Sequence, residues 1–183
     1  MTELNPDLQR ILISTDEIQA RVKELCEQID RDYQGVRRIY LIGILKGAFI
    51  FLADLCRNLK TTHVVDFMAV SSYGKSTATG AVRLIMDLRE PIDGEHVIIV
   101  EDIADSGQTL GYLYHVLQQR NPASLRTCVL LQKQRQQKTL DIPVDYLGFM
   151  IPDAWVVGYG LDYADLHRTL PFIAELKPEV YSK

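Results

Sequence analysis

Cysteine is scarce in this sequence: Cys26, Cys56 and Cys128 are the only three in 183 residues. They are far apart, sit among apolar neighbours and show no Cys-x-x-Cys spacing. That pattern gives neither a disulfide framework nor a zinc site. Three reduced, buried thiols are expected, which fits a cytoplasmic protein. Long apolar runs are also lacking. The most apolar stretch, Ile39 to Leu55, is broken by Gly43, Lys46, Gly47 and Asp54, so no membrane span is expected. The N-terminal MTELNPDLQR has no basic patch leading into an apolar segment, so no secretory signal is expected either. Basic charge is not in excess. Lys and Arg number 20 against 24 Asp and Glu, a net charge of −4, and nucleic acid meets no global attraction. No internal repeat, low-complexity tract or linker rich in Pro, Gly or Ser interrupts the chain.

What is present reads as one globular domain over 1–183. Hydrophobic residues make up 47% and charged residues 24%, which are globular values. A chain of this length buries about 70% of its extended surface, enough for one substantial core. Ser14 followed by Glu17 forms a capping-box signature. Ile18, Val22, Leu25 and Ile29 then recur at helical spacing. Arg38 to Leu45 is a near-continuous β-branched and apolar run, the mark of a strand buried on both faces. Phe49 to Leu59 reads as a helix and His63 to Val70 as a second strand. Ser71 to Ala81 reads as a mobile loop, and Val82 to Met86 as a return to strand. Val97 to Val100 is the strongest buried-strand signal in the chain. A helix from about Thr109 to Gln119 follows, then a strand from Leu125 to Leu131 and a polar loop from Gln132 to Thr139. Val144 to Ile151 and Trp155 to Tyr159 complete the strand candidates. Strands separated by helices imply βαβ units and a mostly parallel sheet in an α/β fold.

The chemistry concentrates where VIIV runs into Glu101-Asp102-Ile103-Ala104-Asp105-Ser106-Gly107-Gln108-Thr109. A buried strand ends in two adjacent carboxylates, and a short polar loop then enters a helix. Ligands of open parallel sheets bind outside the carboxyl ends of the strands. A loop entering a helix aims several backbone N–H groups at one point, with the helix dipole adding positive potential. Gly107 lets the backbone approach a bulky anion, and Ser106 and Thr109 add hydroxyl donors. The segment reads as a phosphate seat without the Gly-Lys-Ser/Thr of a nucleoside triphosphatase loop. Taken alone, Asp102 or Asp105 would simply cap the next helix. Two carboxylates ending an apolar strand, however, cost solvation energy unless cations or hydroxyls meet them.

On these residues the chain resembles the type I phosphoribosyltransferases. Val97 to Leu110 is similar to their phosphoribosyl-pyrophosphate signature, and the remainder resembles the hypoxanthine-guanine branch. Leu45-Lys46-Gly47 is similar to that branch's pyrophosphate loop. Ser72-Tyr73, with Ser76-Thr77, is similar to its catalytic lid. Val156 to Tyr163, followed by Arg168, is similar to its base- and metal-binding hood segment. The resemblance implies a central sheet of about five mostly parallel strands flanked by helices. It adds a small hood from the chain ends, roughly 1–35 and 150–183. It implies transfer of the phosphoribosyl group from phosphoribosyl pyrophosphate to hypoxanthine or guanine, with release of pyrophosphate.

The same resemblance assigns roles. Asp105 is the expected general base toward purine N7, and Glu101 and Asp102 hold the ribose hydroxyls. The loop of Asp105, Ser106, Gly107, Gln108 and Thr109 cradles the 5′-phosphate. Leu45, Lys46, Gly47, Ser72, Tyr73 and Arg168 face pyrophosphate, and whether the Leu45–Lys46 peptide is cis or trans is left open by the sequence. Lys133 donates to the oxygen at purine C6, Trp155 stacks on the base, and Val156 reads its edge through backbone groups. Glu101, Asp102 and Asp162 are the residues implied for Mg²⁺, Asp162 also adjoining the base. Arg135 and Lys138 read as a solvated basic loop, and His167 as structural or exposed. A homodimer or homotetramer is implied by the family alone. The alternatives are a regulator that binds the sugar pyrophosphate and controls nucleic acid, and an enzyme of the same reaction acting on xanthine or adenine.

Overall fold

The buried strand at Ile39–Leu45 (β2) stands at the centre of the molecule, with all but its last residue buried. A computed structural model describes residues 5–72, 82–134 and 142–182 of the chain. In chain order the elements begin β1 (Leu8–Ile13), α1 (Thr15–Asp32), β2, α2 (Phe49–Asn58), β3 (His63–Ser72) and β4 (Val82–Met86). They continue with β5 (His96–Ala104), α3 (Gln108–Gln118), β6 (Ser124–Lys133), β7 (Tyr146–Ile151), β8 (Val156–Val157), β9 (Ile173–Leu176) and α4 (Pro178–Tyr181). The main sheet has six strands in the order β4-β3-β2-β5-β6-β7. Five are parallel, and β4 joins the edge antiparallel to β3.

Both faces of this sheet are covered, as a parallel sheet requires. Ile39 and Leu41 of β2 pack with α1 and α2 through Val22, Leu25, Phe51 and Leu55. The alternate residues Tyr40, Ile42 and Ile44 face α3 through Leu110, Leu113 and Leu117. The capping box at Ser14 is complete. The Glu17 N–H donates to Ser14 Oγ at 3.3 Å, and the Ser14 N–H donates to Glu17 Oε2 at 2.8 Å. The expected stripe Ile18, Val22, Leu25 and Ile29 is buried, together with Cys26. All three cysteines are free thiols, and Cys26 and Cys128 are buried. Among the described residues no helix is long and apolar enough to cross a membrane.

Some boundaries move. β6 runs two residues past the expected end at Leu131, so Gln132 and Lys133 belong to the sheet and not to a loop. The Trp155–Tyr159 strand shrinks to Val156–Val157, because Gly158 and Tyr159 take positive φ angles of 101° and 51°. β1 and β9 were not expected from the sequence pattern. They pair antiparallel, with β8 on the far side of β9, in a separate three-stranded sheet built from the two ends of the chain. α1, inside the range 1–35 expected for the hood, packs on α2 and β7 instead. Tyr73, Ser76 and Thr77 of the expected lid, and Arg135 and Lys138, lie outside the described residues.

Candidate active site

The strand order reverses between β2 and β5. The chain leaves β2 through α2 toward β3, and leaves β5 through α3 toward β6. Such a switch point opens a crevice at the carboxyl ends of the two strands. β2 ends there in Leu45-Lys46-Gly47, and the Leu45–Lys46 peptide bond is cis. β5 ends there in Glu101 to Ala104. The two ends touch. A Cβ built at Gly47 would overlap the Asp102 carboxylate, and one built at Gly160 would overlap the Gly47 carbonyl. Three segments distant in sequence therefore meet at one point with no room for a side chain.

Glu101 is 7% exposed, and its Oε2 has no hydrogen-bond partner among the described residues. Burial, reinforced by the Asp102 charge, pushes its pKa well above the ordinary carboxylate range. Asp102 is half-buried, and its Oδ1 accepts the Ile103 N–H at 2.9 Å. Burial raises its pKa to about 6, with backbone hydrogen bonds and Arg168 opposing and Asp162 adding to the rise. The pair is an electrostatic mismatch that a cation or sugar hydroxyls would relieve. The N-cap of α3 is Gly107 at φ 75°, so neither Asp102 nor Asp105 holds the cap position. Ser106 Oγ accepts the Gln108 N–H at 3.4 Å. The N-terminal turn of α3 thus opens through a glycine into the same crevice.

Beside the carboxylates lies a cavity of about 180 Å³. Asp102, Asp105, Lys133, Trp155, Val156 and Asp162 are among the residues that line it. Lys133 ends β6 with its side chain only 11% exposed. Its Nζ lies 3.5 Å from Asp105 Oδ1 and 3.2 Å from Asp153 Oδ1, and 5.9 Å from the centre of the Trp155 ring. Trp155 is half exposed and is braced by Tyr163 and Tyr181, with ring centres 5.8 and 5.5 Å away. About half of the tryptophan surface remains accessible, beside an ammonium and a carboxylate. A flat heterocycle with polar edges fits such a slot.

The far wall is the turn from Gly158 to Arg168. The Tyr159 hydroxyl donates to Asp54 Oδ2, which also accepts from Gln19 Nε2 at 2.9 Å, while Arg57 donates to Oδ1. Arg168 donates to the Gly160 carbonyl at 2.9 Å and contacts Asp162 at 2.7 Å and Asp165 at 3.0 Å. Asp165 also meets Lys46 Nζ at 2.9 Å. The Lys46 and Arg168 hydrogen bonds hold its carboxyl below the ordinary range. His167 is structural: its Nε2 lies 3.3 Å from Asp7. The sequence-predicted residues of β2, β5, α3, β6 and the Gly158–Arg168 turn are therefore brought together. Ser72 ends β3 opposite Val82, and Tyr73 lies outside the described residues. Asp54, Asp153 and Asp165 were not anticipated. Asp54 carried a signal, being a carboxylate on the same helix face as Phe51 and Leu55. Asp153 and Asp165 look like ordinary loop acids in sequence.

A crevice at the switch point, with paired carboxylates and a glycine-entered helix, defines a sugar-phosphate-handling α/β protein. The chain matches the phosphoribosyl transferase domain over residues 14–164 and belongs to that family. It is 47% identical over 179 residues to the hypoxanthine-guanine phosphoribosyltransferase of Dictyostelium discoideum, covering 96% of this chain and 99% of that protein. It is also 47% identical over 176 residues to the hypoxanthine-guanine phosphoribosyltransferase of Bacillus subtilis, covering 96% and 97%. A longer protein, the bifunctional TilS/HprT of Listeria monocytogenes, is 43% identical over 98% of this chain, which spans 28% of its length. The hypoxanthine phosphoribosyltransferase of Trypanosoma cruzi in complex with the product IMP superposes with a TM-score of 0.90. That pair is 45% identical over 98% of this chain and 100% of the other.

Proposed function

We propose that this chain is a purine-salvage enzyme. It transfers the phosphoribosyl group of phosphoribosyl pyrophosphate to hypoxanthine, and to guanine, giving IMP or GMP and pyrophosphate. The observation that carries this reading is the single cavity at the switch point. There an exposed carboxylate, a sheltered ammonium and a half-exposed tryptophan adjoin the buried Glu101 and the half-buried Asp102.

In this reading purine N9 attacks ribose C1 as the bond from C1 to the pyrophosphate oxygen breaks. Asp105 accepts the proton from purine N7, a task its place beside the cavity suits. Lys133 donates to the C6 oxygen, which favours 6-oxopurines over adenine. Trp155 stacks on the base and Val156 reads its edge. Glu101 and Asp102 hold the ribose hydroxyls, directly or through water. The backbone from Asp105 to Thr109 seats the 5′-phosphate. Leu45 to Gly47, Arg168 and the Ser72–Tyr73 segment face the pyrophosphate. Arg168 and Lys46 reach it by exchanging the Asp165 carboxylate for phosphate oxygens.

Mg²⁺ fits the donors present. Among the described residues no group of three or more His, Cys, Asp or Glu side chains forms a metal cage. Mg²⁺ commonly takes one or two protein carboxylates and completes its shell with substrate oxygens and water. Glu101, with its orphaned oxygen, and Asp102 would supply the carboxylates, and Asp162 would hold bound water. When bound, the ion neutralises the pyrophosphate leaving group. We place the enzyme in the cytoplasm as a homodimer or homotetramer, by membership of the family, with no nucleic-acid partner.

The test is pyrophosphate release from phosphoribosyl pyrophosphate and Mg²⁺ with four bases: hypoxanthine, guanine, xanthine and adenine. Turnover with hypoxanthine and guanine, and little with adenine, is expected. Equal use of adenine would remove Lys133 from its role, and release with no base at all would overturn the reading.

A further inference from the structure

We propose that Asp153 is a positioning and specificity-determining residue for the base. It shares the Lys133 ammonium with the general base and so keeps it in line with the purine C6 oxygen. The inference rests on the function proposed above.

β6 and β7 are parallel, and Lys133 pairs with Ile151 at their carboxyl ends. The Gln134 N–H donates to the Ile151 carbonyl at 2.8 Å, which locks that last rung. Pro152 follows and has no N–H with which to extend the ladder. The Ala154 N–H instead donates to the Pro152 carbonyl at 2.9 Å. This tight turn sets the Asp153 carboxylate 3.2 Å from Lys133 Nζ. Asp105 approaches the same ammonium at 3.5 Å, and the Trp155 ring at 5.9 Å.

Lysine carries its charge on a flexible four-carbon stem with three donors. A sheltered ammonium must find acceptors or bear a desolvation cost. With Asp105 as its only carboxylate neighbour, Lys133 would swing onto it. That ion pair would occupy the oxygen meant for the purine N7 proton, and it would pull the donor away from C6. Asp153 supplies a second counter-charge at 3.2 Å, from the turn that follows the last Lys133–Ile151 rung. The ammonium then has two carboxylates within 3.5 Å, and one of its three N–H donors can meet an acceptor on a base. Adenine presents a donor at that atom, so the same alignment rejects it.

The test is steady-state kinetics of Asp153→Asn and Asp153→Glu in the full chain, with hypoxanthine and adenine as bases. Asp153 is half exposed, so both variants should fold, and a thermal melt of each checks this. For Asp153→Asn, KM for hypoxanthine should rise by about ten-fold, the scale of one charge-assisted hydrogen bond. KM for phosphoribosyl pyrophosphate should stay within about two-fold, since its groups lie away from this rung. The ratio of hypoxanthine to adenine use should fall, and Asp153→Glu should recover part of it. An unchanged hypoxanthine KM overturns the role of Asp153 while leaving the proposed function standing. So does a parallel rise in both KM values without recovery in the glutamate variant. A parent chain inactive with every base overturns the proposed function, and this inference with it.

Discussion

Asp105 stands between two demands. In the proposed mechanism it takes a purine proton, and in the structure it lies 3.5 Å from the Lys133 ammonium. Replacing it with asparagine keeps the shape and removes the proton acceptor. Asp105→Asn should lower kcat by roughly 10²- to 10⁴-fold, the range of general base catalysis. The affinity for phosphoribosyl pyrophosphate, measured by equilibrium titration, should change little. Turnover equal to the parent would release Asp105 from the role. At this scale much was readable in advance, because Glu101, Asp102 and Asp105 follow a run that only a buried strand explains. The desolvation of Glu101 and Asp102 follows from that one fact, since they end an apolar buried strand. Asp153 and Asp165 were unreadable for the opposite reason. Each acquires its meaning from a partner far off in sequence, Lys133 for one and Lys46 and Arg168 for the other.

Among the elements, those with a strong local period lie close to where the sequence puts them, although β5 runs on to Ala104, four residues past the expected Val100. α1 has its capping box and stripe, and β2 and β5 have their unbroken apolar runs. β1 and β9 escaped because neither has a period to read. β1 pairs with two register shifts and buries only its first and last residues, and β9 has four residues. Trp155 to Tyr159 reads as strand in the sequence, but only Val156–Val157 is strand. Its valines look extended, whereas Gly158 and Gly160 adopt φ angles of 101° and 106°. Gly160→Ala should therefore be costly on two counts. Its φ is one that L-residues avoid, and its methyl group would collide with the Gly47 carbonyl. The expected outcome is a rise in KM for phosphoribosyl pyrophosphate with a folded protein by circular dichroism. Parent-like kinetics in that variant would show that the turn and the β2 loop are not in mutual contact.

Across the whole molecule, Asp54 ties three parts together. Its carboxylate accepts from Gln19 of α1, Arg57 of α2 and the Tyr159 hydroxyl of the small-sheet turn. Burial raises its pKa, but those three hydrogen bonds outweigh burial and hold it below the ordinary value. An acid held low contributes stability that is complete above its unfolded pKa of about 4 and fades as pH falls through the folded value. Asp54→Asn should cost about 2 kcal/mol at pH 7, the scale of hydrogen bonds to a charged group. The gap from the parent should narrow progressively below about pH 4. Melting curves of both proteins from pH 7 to pH 3 would check this, and a gap independent of pH would contradict it. Overall architecture was foreseeable because alternating strands and helices leave few ways to cover a parallel sheet. The Asp54 junction was not, since it joins segments 105 positions apart. The bare contact of Gly47 with Asp102 and Gly160 carries a lesson for anyone building chimeras from this chain. A grafted terminal segment must bring its own residue without a side chain at 160, or Gly47 and the Asp102 carboxylate behind it will be displaced.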